Sequence, residues 1–363
     1  MTGVTKHDPD KAFEGYTLFS ETFSEPRWEV GKEAVIHLID MDGKVAHTWT
    51  LTEHTVQSHC RLLPNGHLLV PTHDRSDVTQ CRNVGLYEYD PDGNLVWNIR
   101  CRTDHDYQVR DNGNLLIHTL NETMCPVLGP ELKRHPYMIE VTRDKDLVWE
   151  WKGEEHLKDL KACLSPEAYQ HVLDRAKGRF AFDWAHNNTL QLIPPNETYE
   201  KEKANGDPVR FKPGNIFFSY RSNDVIGVID YDTGDIVWAW GPGIIDGQHK
   251  PHMLSNGNVL IFDNGTLRKY SRVIELNPLT EEIEWEYVAN PTEDFFSAAI
   301  SGAQRLPNGN TLICEGGKSR LFEVNPDGEI VWEFVNPHRH ENGRPSIYRC
   351  LRYSPEYVKP VLT

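Results

Sequence analysis

No stretch of this chain is apolar for long enough to span a bilayer as a helix, and the opening MTGVTKHDPDKAFEGYTLFS lacks the uninterrupted apolar core of a secretory signal. Membrane association is therefore not expected, and a cytoplasmic location is. CxxC spacing is missing too. The seven cysteines, Cys60, Cys81, Cys101, Cys125, Cys163, Cys314 and Cys350, are scattered and odd in number, which argues for a reducing compartment and small core or loop roles. Positive charge is in deficit, with 38 Lys and Arg against 54 Asp and Glu and a net charge of -16. Such a surface repels phosphate backbones and anionic headgroups, so nucleic acid is not an expected partner. Apolar residues are not scarce: at 38%, with 10 Trp, 14 Tyr and 13 Phe, they suffice for a sizeable globular core.

What is present is a repeat. IHLIDMDGKVAHTW, LYEYDPDGNLVWNI, MIEVTRDKDLVWEW, IGVIDYDTGDIVWAW, VIELNPLTEEIEWEY and LFEVNPDGEIVWEF each read as a strand, a turn rich in Asp and Gly, and a second strand carrying Trp49, Trp97, Trp149, Trp238, Trp285 or Trp332. Upstream of most hairpins lies a second signature, RLLPNGHLLV, QVRDNGNLLIH, MLSNGNVLIF or RLPNGNTLIC, whose Asn-Gly suits a tight turn between two more strands. Four strands per unit, with Trp-to-Trp spacings of 48, 52, 89, 47 and 47, predict an all-β, six-bladed β-propeller with an insertion in the fourth unit. One domain over residues 1–363 is expected, with its core at about 15–358. Gly15–Ser20 resembles a second strand with no first, and Ser346–Val358 a first strand with no second, so the two ends are expected to complete one blade.

Two segments do not fit the repeat. Residues 153–182, including EEHLKDLKACLSPEAYQHVLDRAKGRF, have the spacing of one or two helices, and residues 195–213 form a polar insertion. Both are expected on a propeller face, either as a lid over the central opening or as surface decoration. The histidines are placed more sharply. His105 lies eight residues before Gly113 and His249 eight before Gly257, while His59 lies seven before Gly66 and His186 begins the matching strand of the fourth unit. Innermost strands line a propeller's channel, so these four are expected at its mouth, where a His cluster binds an anion when protonated or a metal when neutral.

DWAHNNTL at Asp183–Leu190, FFSYRSNDVIGVID at Phe217–Asp230, GQHKPH, and IFDNG followed by YSRVIEL resemble the arylsulfate sulfotransferase family, in the order DWAH, SR, QH, FDNG, SR. The resemblance runs from about Gly15 onward. It implies a six-bladed propeller that moves sulfate from an aryl sulfate to a phenol through a sulfohistidine. By motif, His249 is the implied nucleophile, His186 and Arg221 bind the sulfate, and His105 is a further active-site histidine. An imidazole nitrogen can attack sulfur, and a guanidinium with imidazole donors can neutralise the sulfuryl oxygens. Tyr220, Asn264, Arg272, His252 and His59 are weaker candidates for substrate contact, with Gly265 and Ser271 in the same motifs. Asp183 could orient a histidine or hold its loop. The Trp repeats are expected to pack between blades.

No cofactor or metal is expected on this reading, and the partners are a small aryl sulfate and a phenol. Two alternatives stay open. A propeller polysaccharide lyase acting on an anionic, uronate-containing saccharide would hold a divalent metal through His59, His105, His186 and His249. A non-catalytic binding propeller is the third reading.

Overall fold

A computed structural model of the chain describes residues 2–23, 34–74, 83–178, 181–337 and 345–363. Cys81 and positions 179–180 of the first insertion lie outside the described residues. The strands form six antiparallel sheets, the blades of a six-bladed β-propeller. Residue contacts group the chain into two units, Met1–Thr103 with Ala299–Thr363, and Asp104–Ala298.

The first unit holds blades one, two and six. Blade one orders its strands Pro345–Tyr353, Tyr16–Phe23, Ala34–Ile39 and Val45–Leu51, so the C-terminal strand pairs with the N-terminal one, Leu351 opposite Leu18 and Cys350 opposite Phe19. The expected strand was too long, however. It stops at Tyr353, because Ser354 and Pro355 start a helix with an N-cap and a proline in the first turn. Ser354 Oγ accepts the Tyr357 N–H at 3.3 Å, and Val358 and Val361 of this Pro355–Leu362 helix are buried in the core of blades one and two. A second departure is Gly3–His7, which adds a fifth strand to the outer edge of blade six, against Ile330–Val335. An added edge strand needs no blade signature, so the repeat could not announce it.

The six repeat tryptophans all fall on the fourth strand of their blades. Trp49, Trp149 and Trp332 donate an indole N–H to the hairpin turn of the next blade, to Asp90 O at 3.0 Å, Tyr231 O at 3.2 Å and Met41 O at 2.9 Å. The repeat thus supplies packing and a directional staple together.

The second unit holds blades three, four and five, whose first strands are Tyr107–Val109, Asn187–Leu192 and His249–Met253. Their second strands open with continuous apolar runs, Leu115–Ile117 and Val259–Ile261 among them, fully buried because both faces of the sheet are covered. The first insertion forms Leu157–Cys163 and Pro166–Lys177, between the last strand of blade three and the first of blade four. It therefore emerges at the end of the blade where His186 sits. The second insertion forms the helix Glu197–Asn205, between the first and second strands of blade four, and so emerges at the opposite end. There it packs on the turn of blade five: Thr198 Oγ donates to Gly257 O at 2.8 Å, and a Cβ on Gly257 would clash with that hydroxyl oxygen. The expectation that residues 195–213 cover the histidines is thereby corrected.

Candidate active site

Blades three, four and five enter their first strands through DHDY, DWAHNN and GQHKPH. The backbone turns left-handed at His105 (φ 60°), His186 (φ 45°) and Lys250 (φ 53°), a conformation that side chains other than glycine adopt at a cost. His105 and His249, equally spaced from their turn glycines, do not share a conformation, since blade five places its left-handed residue one position later and bulges between His249 and His252. Hydrogen bonds hold the three entries side by side. Leu190 N donates to Asp106 Oδ2 at 3.2 Å, Asn188 Nδ2 to Gln248 O at 2.8 Å, and Lys250 N to Thr189 Oγ at 3.1 Å.

Two carboxylate–imidazole pairs face each other at these entries. His105 Nδ1 lies 2.5 Å from Asp104 Oδ2, and His186 Nδ1 lies 2.6 Å from Asp183 Oδ2. The two rings meet edge to face, centroids 4.7 Å apart. Burial alone would raise the Asp104 carboxyl, but the His105 charge and hydrogen bond, with His118 and His186, hold it well below the usual carboxylate range. Asp183 is lowered in the same way, burial being outweighed by His186. His118 is fully buried behind Asp104, with Nδ1 2.7 Å from the Asp104 carbonyl oxygen, and burial pushes its imidazole towards the neutral form.

His249 is 2% exposed, and its Nδ1 faces two acceptors, Asn264 Oδ1 at 2.7 Å and Gly247 O at 3.2 Å. Asn264 is oriented by its own amide, which donates to Ser297 O at 2.7 Å. Nδ1 of His249 therefore carries the proton, and the lone pair of the neutral ring resides on Nε2. Arg221 starts the short turn Arg221–Asn223 after the strand Ile216–Tyr220. Its N–H donates to His186 O at 3.3 Å and its Nη2 to Ala298 O at 3.4 Å, the carbonyl beside the one that orients Asn264. Neighbouring carbonyls thus tie the guanidinium to the His249–Asn264 pair. A cleft of about 310 Å³ opens beside Arg221, lined by Arg221, Ser222, Asp246, Gly247, Thr266 and Leu267, with Asp174, Arg175 and Gly178 at the end of the Pro166–Lys177 helix; His105, His186 and His249 are not among its lining residues.

The sequence model of the arylsulfotransferase (ASST) family matches residues 100–337, more than half of the chain and all three of these blades. The chain belongs to the arylsulfotransferase family. It is also 24% identical over 211 residues to human phosphatidate phosphatase LPIN3, a match taking in 53% of this chain and 20% of that protein. Among solved structures, a Bacteroides caccae protein of unknown function superposes with a TM-score of 0.54 at 14% identity, covering 94% of this chain and 99% of its own. The Pseudomonas aeruginosa periplasmic gluconolactonase PpgL gives 0.46 at 13% identity, covering 91% and 97%.

Within this arylsulfotransferase-family chain, His105, His186, Arg221 and His249 all belong to the second unit: the His105 and His186 rings meet, the Arg221 N–H donates to His186 O, and His249 pairs with Asn264. The weaker candidates divide. Asn264 orients His249, and Asp183 pairs with His186. Ser271 Oγ donates to Asn264 O at 2.8 Å, while His252 Nδ1 lies 3.0 Å from Lys250 O. Tyr220 is completely buried in the apolar core beside Trp184 and Phe218, so it packs under the site. All three guanidinium nitrogens of Arg272 are engaged, by Asp263, Glu286 and Ile244 O at 2.8 to 2.9 Å, which makes it a structural clamp. His59 belongs to the first unit, stacked on Tyr348. Imidazole and carboxylate atoms close enough to share a metal group Asp104 with His105 and His118, and His156 with Asp159 and Asp235, among the described residues. Asp104 and His118 went unnoticed in the sequence, though a signal existed: the repeat position occupied by Phe262 and Cys314 in blades five and six is His118 in blade three.

Proposed function

We propose that this protein transfers a sulfuryl group from an aryl sulfate to a phenolic acceptor through a sulfohistidine on His249. The observation that carries the reading is the His249 ring, whose Nδ1–H is held by Asn264 and Gly247 so that the lone pair lies on Nε2, with the Arg221 guanidinium bonded to the carbonyl next to the one that orients Asn264. Nε2 attacks sulfur, the S–O bond breaks with its electrons leaving on the phenolate, and an N–S bond forms. Arg221 balances the charge on the sulfuryl oxygens, and a protonated His105 or His186 supplies the proton to the leaving phenolate. In the second half the acceptor phenol gives its proton to that imidazole, its oxygen attacks sulfur, and the N–S electrons return to Nε2. Family membership supports the reaction class, and the two Asp–His pairs suit groups that alternate as acid and base.

Incubation with 4-nitrophenyl sulfate should release nitrophenol and add one sulfuryl mass to the intact protein. His249→Ala should abolish the adduct, and Arg221→Ala should slow its formation roughly a hundred- to a thousandfold, the scale for losing one charge-stabilising donor. No adduct and no phenol release, with a stoichiometric divalent metal on the purified protein, would overturn the proposal in favour of the lyase reading.

A further inference from the structure

Resting on the reading above, in which an imidazole of the two Asp–His pairs moves the phenolic proton, we infer that His118 is the positioning residue of the Asp104–His105 pair. Asp104 and His105 are adjacent in sequence, and their side chains meet across a backbone that turns left-handed at His105 (φ 60°), in a three-residue turn closed by Asp106 N donating to Asp104 O at 2.8 Å. A turn of this kind, with positive φ at its central residue, is rare and strained, and it persists only where its surroundings over-determine it. His118, on the neighbouring strand Leu115–Met124, supplies the bracing. Asp104 N donates to His118 O at 2.8 Å and His118 N to Asp106 O at 3.1 Å, gripping the turn on both sides of His105. Any residue but proline could make these two backbone bonds. The third belongs to the side chain alone: His118 Nδ1–H donates to Asp104 O at 2.7 Å, so the carbonyl that closes the turn is tied to the strand beside it.

The imidazole is a costly choice at this position. His118 is fully buried, and its Nε2 has no hydrogen-bond partner among the described residues, so the ring carries a buried, unmet acceptor. Phe262 and Cys314, which fill the same repeat position in blades five and six, carry no such acceptor. What the imidazole adds is the bond to Asp104. Without it the turn can relax, His105 Nδ1 leaves Asp104 Oδ2, and the ring loses both its fixed tautomer and its edge-to-face contact with His186. His118 acts through Asp104 and takes no part in bond making.

The test reads the Nδ1–H proton of His105 by NMR. A proton in a 2.5 Å imidazole–carboxylate hydrogen bond resonates far downfield of the amides, and His105→Gln identifies the line by removing it. His118→Phe and His118→Cys, the residues of blades five and six, should each remove the His105 line. Both should also lower kcat for 4-nitrophenyl sulfate by roughly ten- to a hundredfold, the scale for a misplaced catalytic group, with KM changed less. His118→Asn, whose Nδ2–H reaches where Nδ1–H did, should restore the line and the rate, which a side chain needed only for packing would not require. A line that survives in His118→Phe and His118→Cys, that fails to return in His118→Asn, or that is absent from the wild-type protein overturns the inference. The two disruptive variants differ in volume, so a folding failure in one leaves the other to decide. If the wild-type protein releases no nitrophenol, the sulfuryl-transfer reading fails, and the line still decides whether His118 positions His105.

Discussion

At the residue scale, a buried carboxylate and a buried imidazole share one protonation problem at the entry of blade three. The Asp104 carboxyl lies below its ordinary 3.8, because His105, His118 and His186 outweigh the burial that opposes its charge. It contributes stability that is present above that value and lost as the pH falls through the folded pKa. The His118 imidazole lies below its ordinary 6.5, because burial disfavours the cation. The folded state thus binds this proton less well than the unfolded one, and stability is lost as the pH falls from 6.5 towards the lowered value. Both effects have the same sign. Burial of His118 should therefore lower urea midpoints between pH 7.5 and pH 5, the Asp104 contribution being lost only below pH 3.8, and His118→Gln should shed up to one proton's worth of that slope, about 1.4 kcal/mol per pH unit. Parallel pH profiles for the two proteins would show that His118 titrates normally.

At the element scale, topology decides what each insertion can do. A segment joining two blades emerges where first strands begin, and one joining a first to a second strand emerges where they end. The Pro166–Lys177 helix reaches the Arg221 cleft for that reason, and the Glu197–Asn205 helix cannot. Its start depends on Ser165, whose side chain accepts the Ala168 N–H at 3.2 Å. The other end is held by Lys133, a fully buried lysine donating to Ala176 O at 3.0 Å, where the helix dipole favours a cation. Ser165→Ala should cost about 1 kcal/mol locally, raising amide exchange in this helix roughly fivefold while the blade strands keep their protection. Faster exchange throughout the second unit would mean that the helix is integral to the blades.

On the scale of the whole molecule, the chain ends carry disproportionate weight. Removing residues 346–363 strips blade one of its first strand and removes the Pro355–Leu362 helix, baring the Tyr16–Phe23 strand and the core around Val358. An unpaired strand and an open core invite aggregation. The truncated protein should be insoluble or quickly proteolysed, and melting at the full-length temperature would show that this pairing contributes little. The tryptophan staples argue the same way, since each joins a blade's last strand to its neighbour's turn.

Blade number, the four strands of each repeat unit, the paired chain ends and the tryptophan positions were all legible in the sequence, because each is a local pattern repeated at a fixed period, and repetition averages out local ambiguity. The helical first insertion was legible from its spacing, and the family from its ordered motifs. Beyond these, long-range packing decided. That Arg272 is clamped in place, that Tyr220 packs in the core, and that Asn264 sets the His249 tautomer depend on partners 15 to 36 positions away. The Asp104–His105 pair joins adjacent residues, yet only a left-handed turn lets the two side chains meet. Repeat spacing fixed which strand each histidine enters, whereas its proton, its partner and its neighbours followed from how three blade entries lie together.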